Sequence, residues 1–200
     1  MEAFLQSAGN SAQNTEKRLD EQGMEPVQDA LSHVLRHHDP FPAVAVDRFW
    51  NVIQQNDAAG LLLGIRGNPR ELMLSLGEAD GFNLALLTLH PDGLRPFISN
   101  WDQIAPAFVR RLRAEALASG DRAMQARFQE FIDLAGELDE RWTTDSLLPV
   151  LPLELNVDGL ELSIFSVITT FGTPLDITAD ELRIEAFYPA DAQTEAFFRG

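Results

Sequence analysis

The chain has no cysteine in 200 residues. Disulfides, thiolate metal sites and cysteine nucleophiles are therefore excluded. It has a single lysine, Lys17, and its 15 Lys and Arg face 31 Asp and Glu, for a formal net charge of −16. Binding to a phosphate backbone draws on Lys and Arg displacing counterions, so this balance argues against nucleic-acid binding by the chain alone. The acidity favours solubility and does not reveal the fold. No uninterrupted apolar run reaches the roughly 18 residues that could span a bilayer. The opening "MEAFLQSAGNSAQNTEKR" has no basic stretch followed by an apolar one, so it is not a secretory signal. The expectation is a cytoplasmic chain with no membrane role.

Catalytic signatures are missing as well. There is no G-x-S-x-G, and no serine has a histidine partner suggested by its context. "GLLLGIRG" places Gly60, Gly64 and Gly67 at intervals that suit neither a dinucleotide turn nor a P-loop, and no Lys-Ser/Thr follows. Asp29, His33 and His37 lie at i, i+4, i+8 on one helical face, where two histidines can chelate a metal. The Glu that a zinc protease needs between them is replaced by Val34 and Leu35, and a solvated polar stripe is the better account. No metal, cofactor or catalytic residue is assigned.

What remains is ordinary globular composition, 45% hydrophobic and 23% charged. A chain this long buries roughly 70% of its unfolded surface, enough for a core and an internal cavity. Residues 10–25 are polar and turn-rich and form a linker behind "MEAFLQSAG", a scrap of apolar helix. From Pro26, a good first helical residue, Val27, Ala30, Leu31, Val34 and Leu35 share one face. Two strands are expected, Ala43–Asp47 and Trp50–Gln55. Asn56 or Asp57 then caps a helix that stops at Gly64. Short helices and loops fill 65–82, and a helix runs over 83–89. Two longer helices follow caps at Asn100 and Asp121, the second reaching Trp142. After Pro149 the period changes to two: a hairpin turns at Asp158-Gly159, a loop covers 172–181, and a third strand spans 182–188 before a closing helix. The fold class is α+β: a five-stranded antiparallel sheet with a helical insert after strand 2 covering one face, a PAS-like layout with room for a ligand between sheet and helices.

Four stretches, "HHDPFPAVAVDRFWNVIQQNDAAGLLLG", "NWDQIAPAFVRRLRAEA", "FQEFIDLAGELDERW" and "VDGLELSIFSVITTFGTPLDITADELRIEAFYPADAQT", together resemble the ligand-binding domain of MmyB-like (MltR-type) bacterial transcription regulators. The resemblance covers roughly residues 26–199. It implies a PAS-like ligand-binding domain over 26–200 that senses a small molecule, of fatty-acyl type in some members. It also implies a Cro-type helix-turn-helix domain ahead of it, of which "EAFLQSAG" resembles the closing helix. Nine residues cannot supply a helix-turn-helix. DNA contact is therefore expected only through a missing N-terminal domain, with 1–25 as its residual helix end plus linker.

Trp50, Trp101, Trp142, Phe108, Phe128, Phe131, Phe165, Phe171 and Phe187 fall on apolar faces, where each serves as core before it serves a pocket. With Leu61, Leu62, Leu86, Ile104 and Leu112 they could line an apolar cavity for an acyl chain. Polar groups available to a ligand head are Asn56 (equally a helix cap), Gln54, His90, and Arg110 or Arg113, since arginine meets a carboxylate bidentately. Solvation, or pairing with Glu115 and Asp102, weighs more for both arginines. The candidate ligand-binding residues are thus Trp50, Asn56, Leu62, Leu86, His90, Trp101, Ile104, Phe108, Leu112, Phe128 and Phe165. The expected partners are a small apolar ligand, a fatty acid among the choices, and a second copy of the chain. Two other classes stay open: a homodimerisation module meeting its twin through Glu161, Ser163, Phe165 and Val167, and an enzyme on a hydrophobic small molecule with His90 or a carboxylate as base.

Overall fold

Residues 25–78, 81–138, 150–171 and 182–200 are described in the computed structural model. In chain order they form α1 (Glu25–His37), β1 (Ala43–Val46), β2 (Val52–Gln55), α2 (Asp57–Leu63), α3 (Pro69–Ser75) and α4 (Leu84–Leu89). A single 3-10 turn at Arg95–Phe97 leads to α5 (Trp101–Ser119) and α6 (Arg122–Leu134). These are followed by β3 (Leu153–Val157), β4 (Leu160–Thr170), β5 (Arg183–Pro189) and α7 (Ala192–Arg199). The N-terminal helix scrap and linker, Trp142 and the 172–181 loop lie outside the described residues.

The five strands make one antiparallel sheet in the order β2-β1-β5-β4-β3. With α2 to α6 inserted after β2, this is the PAS-like α+β arrangement. The sequence "AVAV" of β1 shows why both faces of the sheet centre are dry. Ala43 and Ala45 turn to one side, where the buried Leu31 and Leu35 of α1 pack with Leu182 and Ile184. Val44 and Val46 turn to the other, into the large core that the insert builds with Leu62, Leu87, Leu112, Phe128 and Phe131. Small side chains let the helix α1 approach; larger ones fill the deeper side.

Asn56 ties the junction of these layers. Its Oδ1 accepts from the N–H of Ala43 (3.0 Å) and Ala59 (2.9 Å), the second being the cap of α2. Its amide nitrogen donates to the Phe41 carbonyl (2.8 Å), Asp39 Oδ1 (2.9 Å) and the Leu35 carbonyl (3.3 Å). One side chain thereby joins the end of α1, the start of β1 and the start of α2.

The structure departs from the sequence reading in five places, one of them α6: expected to reach Trp142, it ends at Leu134, just ahead of Gly136 at φ +73°. Val34, expected on the apolar face of α1, is 43% exposed. Leu61, expected to line a cavity, is 65% exposed, because α2 presents Ala58, Ala59 and Leu62 inward instead. Asn100 stands at the N-cap of α5, but its side chain makes no cap bond there. Its amide instead donates to Pro152 O (2.8 Å) and its Oδ1 accepts from Glu154 N (3.1 Å), pinning the start of α5 to β3. Trp50 is not in a strand: β2 begins at Val52.

Replacing Asn56 with alanine removes a cap and orphans buried carbonyls at once. The expected loss is roughly 2–4 kcal/mol in urea unfolding. A loss below about 0.5 kcal/mol would remove Asn56 from this role.

Candidate functional site

Trp50 has φ +69°, a left-handed conformation that is an outlier for a bulky residue. Asp47 holds it there. One of its carboxylate oxygens accepts from Phe49 N (2.8 Å) and Asn51 N (2.9 Å), the other from the Asn51 amide (2.9 Å), and its carbonyl accepts from Trp50 N (3.1 Å). The kinked turn drives the indole, 1% exposed, under the insert rather than along the sheet. There the Phe108 ring meets it edge-on at 5.0 Å, and the guanidinium groups of Arg111 and Arg183 lie 4.6 and 5.2 Å from its ring centre. Such cation–π contacts with a partly desolvated indole are favourable.

At the centre of this group is Glu115. Its Oε1 takes Arg111 Nε (2.9 Å) and an Arg183 terminal nitrogen (2.7 Å), and its Oε2 takes the indole N–H (3.0 Å). Arg183 also donates to the carbonyls of Asp47 (3.3 Å) and Arg48 (3.4 Å). Burial alone would push the Glu115 carboxyl up. The hydrogen bonds and charges of Arg183 and Arg111 outweigh it and hold the pKa below the usual carboxylate value. The cluster thus locks α5, from one helix turn, onto both β5 and the Trp50 turn. Asn100 fixes the other end of α5 to β3, so the helix is tied to β3 at its start and to β5 near its end.

Two residues along β5 on the same face is Glu185, 6% exposed, set between Val44 of β1 and Ile168 of β4 by strand register. Its Oε2 has no hydrogen-bond partner. Burial pushes its pKa up, helped by the neighbouring Glu115, and Ser166, Arg111 and Arg183 offset that only in part. Beyond it the cover thins. On β4, Ile168 is half-buried and Ser166 and Thr170 are exposed, while on α5 Trp101, Ile104 and Phe108 are half-buried although they pack against the core.

Of the sequence-derived candidates, the structure brings Trp50 and Phe108 together, with Ile104 one turn earlier on α5, while Trp101 at the helix start lies under the Arg95 guanidinium, 5.0 Å from its ring centre. Leu62, Leu86, Leu112 and Phe128 are buried core. Asn56 is the structural tie described above. His90 ends α4, and its Nδ1 accepts from Asp92 N (3.0 Å), a turn-closing bond. Phe165 lies on the opposite face of the sheet, stacked on Tyr188 at 5.4 Å, since β4 residues of its parity face away from the insert. Gln54 bonds Ser32 of α1 (3.3 Å). Arg113 borders a 250 Å³ groove between α5 and α6, away from the sheet. A 320 Å³ depression beside α7, lined by Glu154, Glu161 and Asp191, is likewise apart from Glu185. His33 and His37 are exposed, with His37 Nδ1 donating to the His33 carbonyl (2.8 Å).

Arg111, Glu115, Arg183 and Glu185 are the residues that sequence reasoning passed over as a group. Arg111 and Glu115 look like an ordinary i, i+4 surface pair. In "LRIEAFY" the two alternating sets, Arg183/Glu185/Phe187 and Ile184/Ala186/Tyr188, gave one usable signal, a charged pair at period two on an expected strand, which the structure puts at the sheet centre.

The ligand-binding domain of MmyB-like transcription regulators matches residues 27–200. The chain belongs to that family. No curated protein matches it. Among solved structures, a PAS domain from Bordetella pertussis BvgS shares 12% identity at a TM-score of 0.33, over 86% of this chain and 93% of that one. As a regulator's ligand-binding domain, the chain has a regulatory role in transcription, with a small-molecule ligand. Among the described residues no helix is long and apolar enough to cross a membrane.

The two carboxylates of this ligand-binding domain pull its pH dependence in opposite directions. Glu115 titrates lower folded than unfolded, so its contribution is lost as pH falls below 4.5 through its depressed pKa. Glu185 titrates higher folded than unfolded, so stability is lost as pH rises from 4.5 through its raised pKa. Thermal unfolding from pH 4.5 upward should therefore show a shallower decline in Glu185→Gln than in the wild type, while Glu115→Gln destabilises by about 2–3 kcal/mol at neutral pH. An unchanged pH profile in Glu185→Gln would contradict the buried placement.

Proposed function

We propose that residues 26–200 are a sensor that takes a small, largely apolar ligand, of acyl-chain type, between α5 and the β4–β5 side of the sheet, and that acts by binding rather than catalysis. The observation that carries this reading is the unfinished apolar cover there: Ile104 and Phe108 on α5 and Ile168 on β4 remain half-open beside a buried, unpartnered carboxyl oxygen. Binding sites of this kind are apolar with a few placed polar groups. A ligand seated there would favour one packing of α5 over another, and its effect is limited to its differential affinity for the two. His38, just past α1, supports a route outward: its Nε2 donates to the Phe187 carbonyl of β5 (2.8 Å), and its ring meets Tyr188 edge-on at 4.8 Å. A shift in β5 would then move α1 and, through the chain ahead of it, a helix-turn-helix domain of the kind the resemblance implies. DNA contact belongs to that domain in this reading.

Native mass spectrometry of the freshly purified domain, with solvent extraction of what is released, tests the proposal. The expected result is a discrete adduct of a few hundred daltons that Ile168→Glu abolishes with the fold retained by circular dichroism. A clean apo mass, with no thermal shift from a panel of long-chain compounds, would contradict it.

A homodimer is the second reading. The sheet face turned away from the insert exposes Val167 (44%) and Tyr188 (36%) beside the stacked Phe165. On this reading Val167→Glu converts a dimer to a monomer in light scattering; a monomeric wild type would dismiss it.

A further inference from the structure

We infer that Glu185 anchors a neutral hydrogen-bonding group, a hydroxyl or a carboxamide, at the head of an otherwise apolar ligand. The inference rests on the ligand-binding reading of the half-buried apolar residues Ile104, Phe108 and Ile168 and specifies which chemistry that site selects.

The position itself is the first argument. Across the strands Glu185 is flanked by Val44 and Ile168, and Phe187 follows it on the same face. An apolar side chain would suit these neighbours, and a buried polar group without a partner costs free energy. Yet Glu185 is 6% exposed and its Oε2 is unbonded, so the fold carries an unmet hydrogen-bonding demand at the edge of a half-open apolar surface.

The charges around it decide what can meet that demand. Glu115 already accepts from three donors, and Arg183 is spent on Glu115 and the carbonyls of Asp47 and Arg48. A cationic head would arrive against the guanidinium groups of Arg111 and Arg183. An anionic head would arrive against Glu115, with Glu185 itself in the way. Either would add a further charge to be stripped of water, which the local Coulomb attraction seldom repays. A hydroxyl or carboxamide both donates and accepts, so it satisfies Oε2 whether the carboxyl is ionised or protonated, and it adds no charge. Ser166, diagonal to Glu185 on the same face and in reach of its carboxyl, supplies a second group that donates and accepts. The apolar body of the ligand then lies along Ile168, Ile104 and Phe108.

The test compares lauryl alcohol, lauramide, laurate and laurylamine, which share one chain and differ in the head, by calorimetry and thermal shift at neutral pH. The wild-type domain should bind the alcohol or the amide about tenfold more tightly than the acid and the amine, the worth of one good hydrogen bond. In Glu185→Met the preference should vanish while chain-dependent binding remains, and the apo protein should melt no lower than the wild type. Tightest binding of the acid or the amine, equal binding of all four, or a head preference that survives Glu185→Met would each overturn the inference and leave the ligand-binding reading standing. No binding of any probe by the wild type would instead bring down that reading, and the inference with it. The wild-type ranking needs no variant, so a misfolded substitution would not shield the proposal.

Discussion

A single carboxylate, Glu115, organises the space between sheet and helices. Three donors from three separate segments converge on it: Arg111 from its own helix, Arg183 from β5, and the indole of Trp50 from a turn before β2. A half-buried ion pair keeps its place best when its hydrogen bonds are nearly all made, and here Glu115 meets all three donors. The left-handed backbone of Trp50, a conformation that costs of order 1–3 kcal/mol, is intelligible as what brings the indole N–H within reach of that carboxylate.

From that fixed point the rest of the site follows. Glu115 clamps the C-terminal half of α5 to β5, and Asn100 clamps its start to β3, so the helix is held at both ends. The middle of the helix is where side chains are half-open. Glu185 stands beneath it with one oxygen unmet, whereas the other groups of the cluster are satisfied by one another. Rigid supports around an incompletely filled centre are what a binding domain needs: the geometry is preorganised, and the unmet group supplies selectivity. On the other side of the sheet, α1 rests on the small residues of β1 and is tied by His38 to the same strand that carries Glu185.

Much of this architecture was legible from the residues. Hydrophobic period separated the helical middle from the strands after Pro149, Asp158-Gly159 marked the hairpin, and Asn56 and Asp121 marked helix starts, as the structure has them. The site was less legible, for physical reasons. Apolar residues at helical spacing cannot be sorted by sequence into those buried in the core, such as Leu112 and Phe128, and those at a half-open edge, such as Ile104 and Phe108. The faces of β4 are both mixed, so the parity that puts Phe165 opposite the insert is set by pairing with β5. The decisive cluster joins residues 50, 111, 115, 183 and 185, and only tertiary contact turns a surface-like Arg–Glu pair into a half-buried one that also holds Trp50 and Arg183. Asn100 had the right residue type for a cap and a different use, because β3 offered its side chain better partners than the helix did.

The most direct measurement is a crystal structure of the domain with the molecule it retains on purification, refined without restraints on the ligand position. The account predicts density along Ile104, Phe108 and Ile168, with a polar ligand atom within hydrogen-bonding distance of Glu185 Oε2 and the Glu115 cluster unbroken. Density confined to the groove between α5 and α6, with Glu185 turned onto Arg111 or a water molecule, would contradict it.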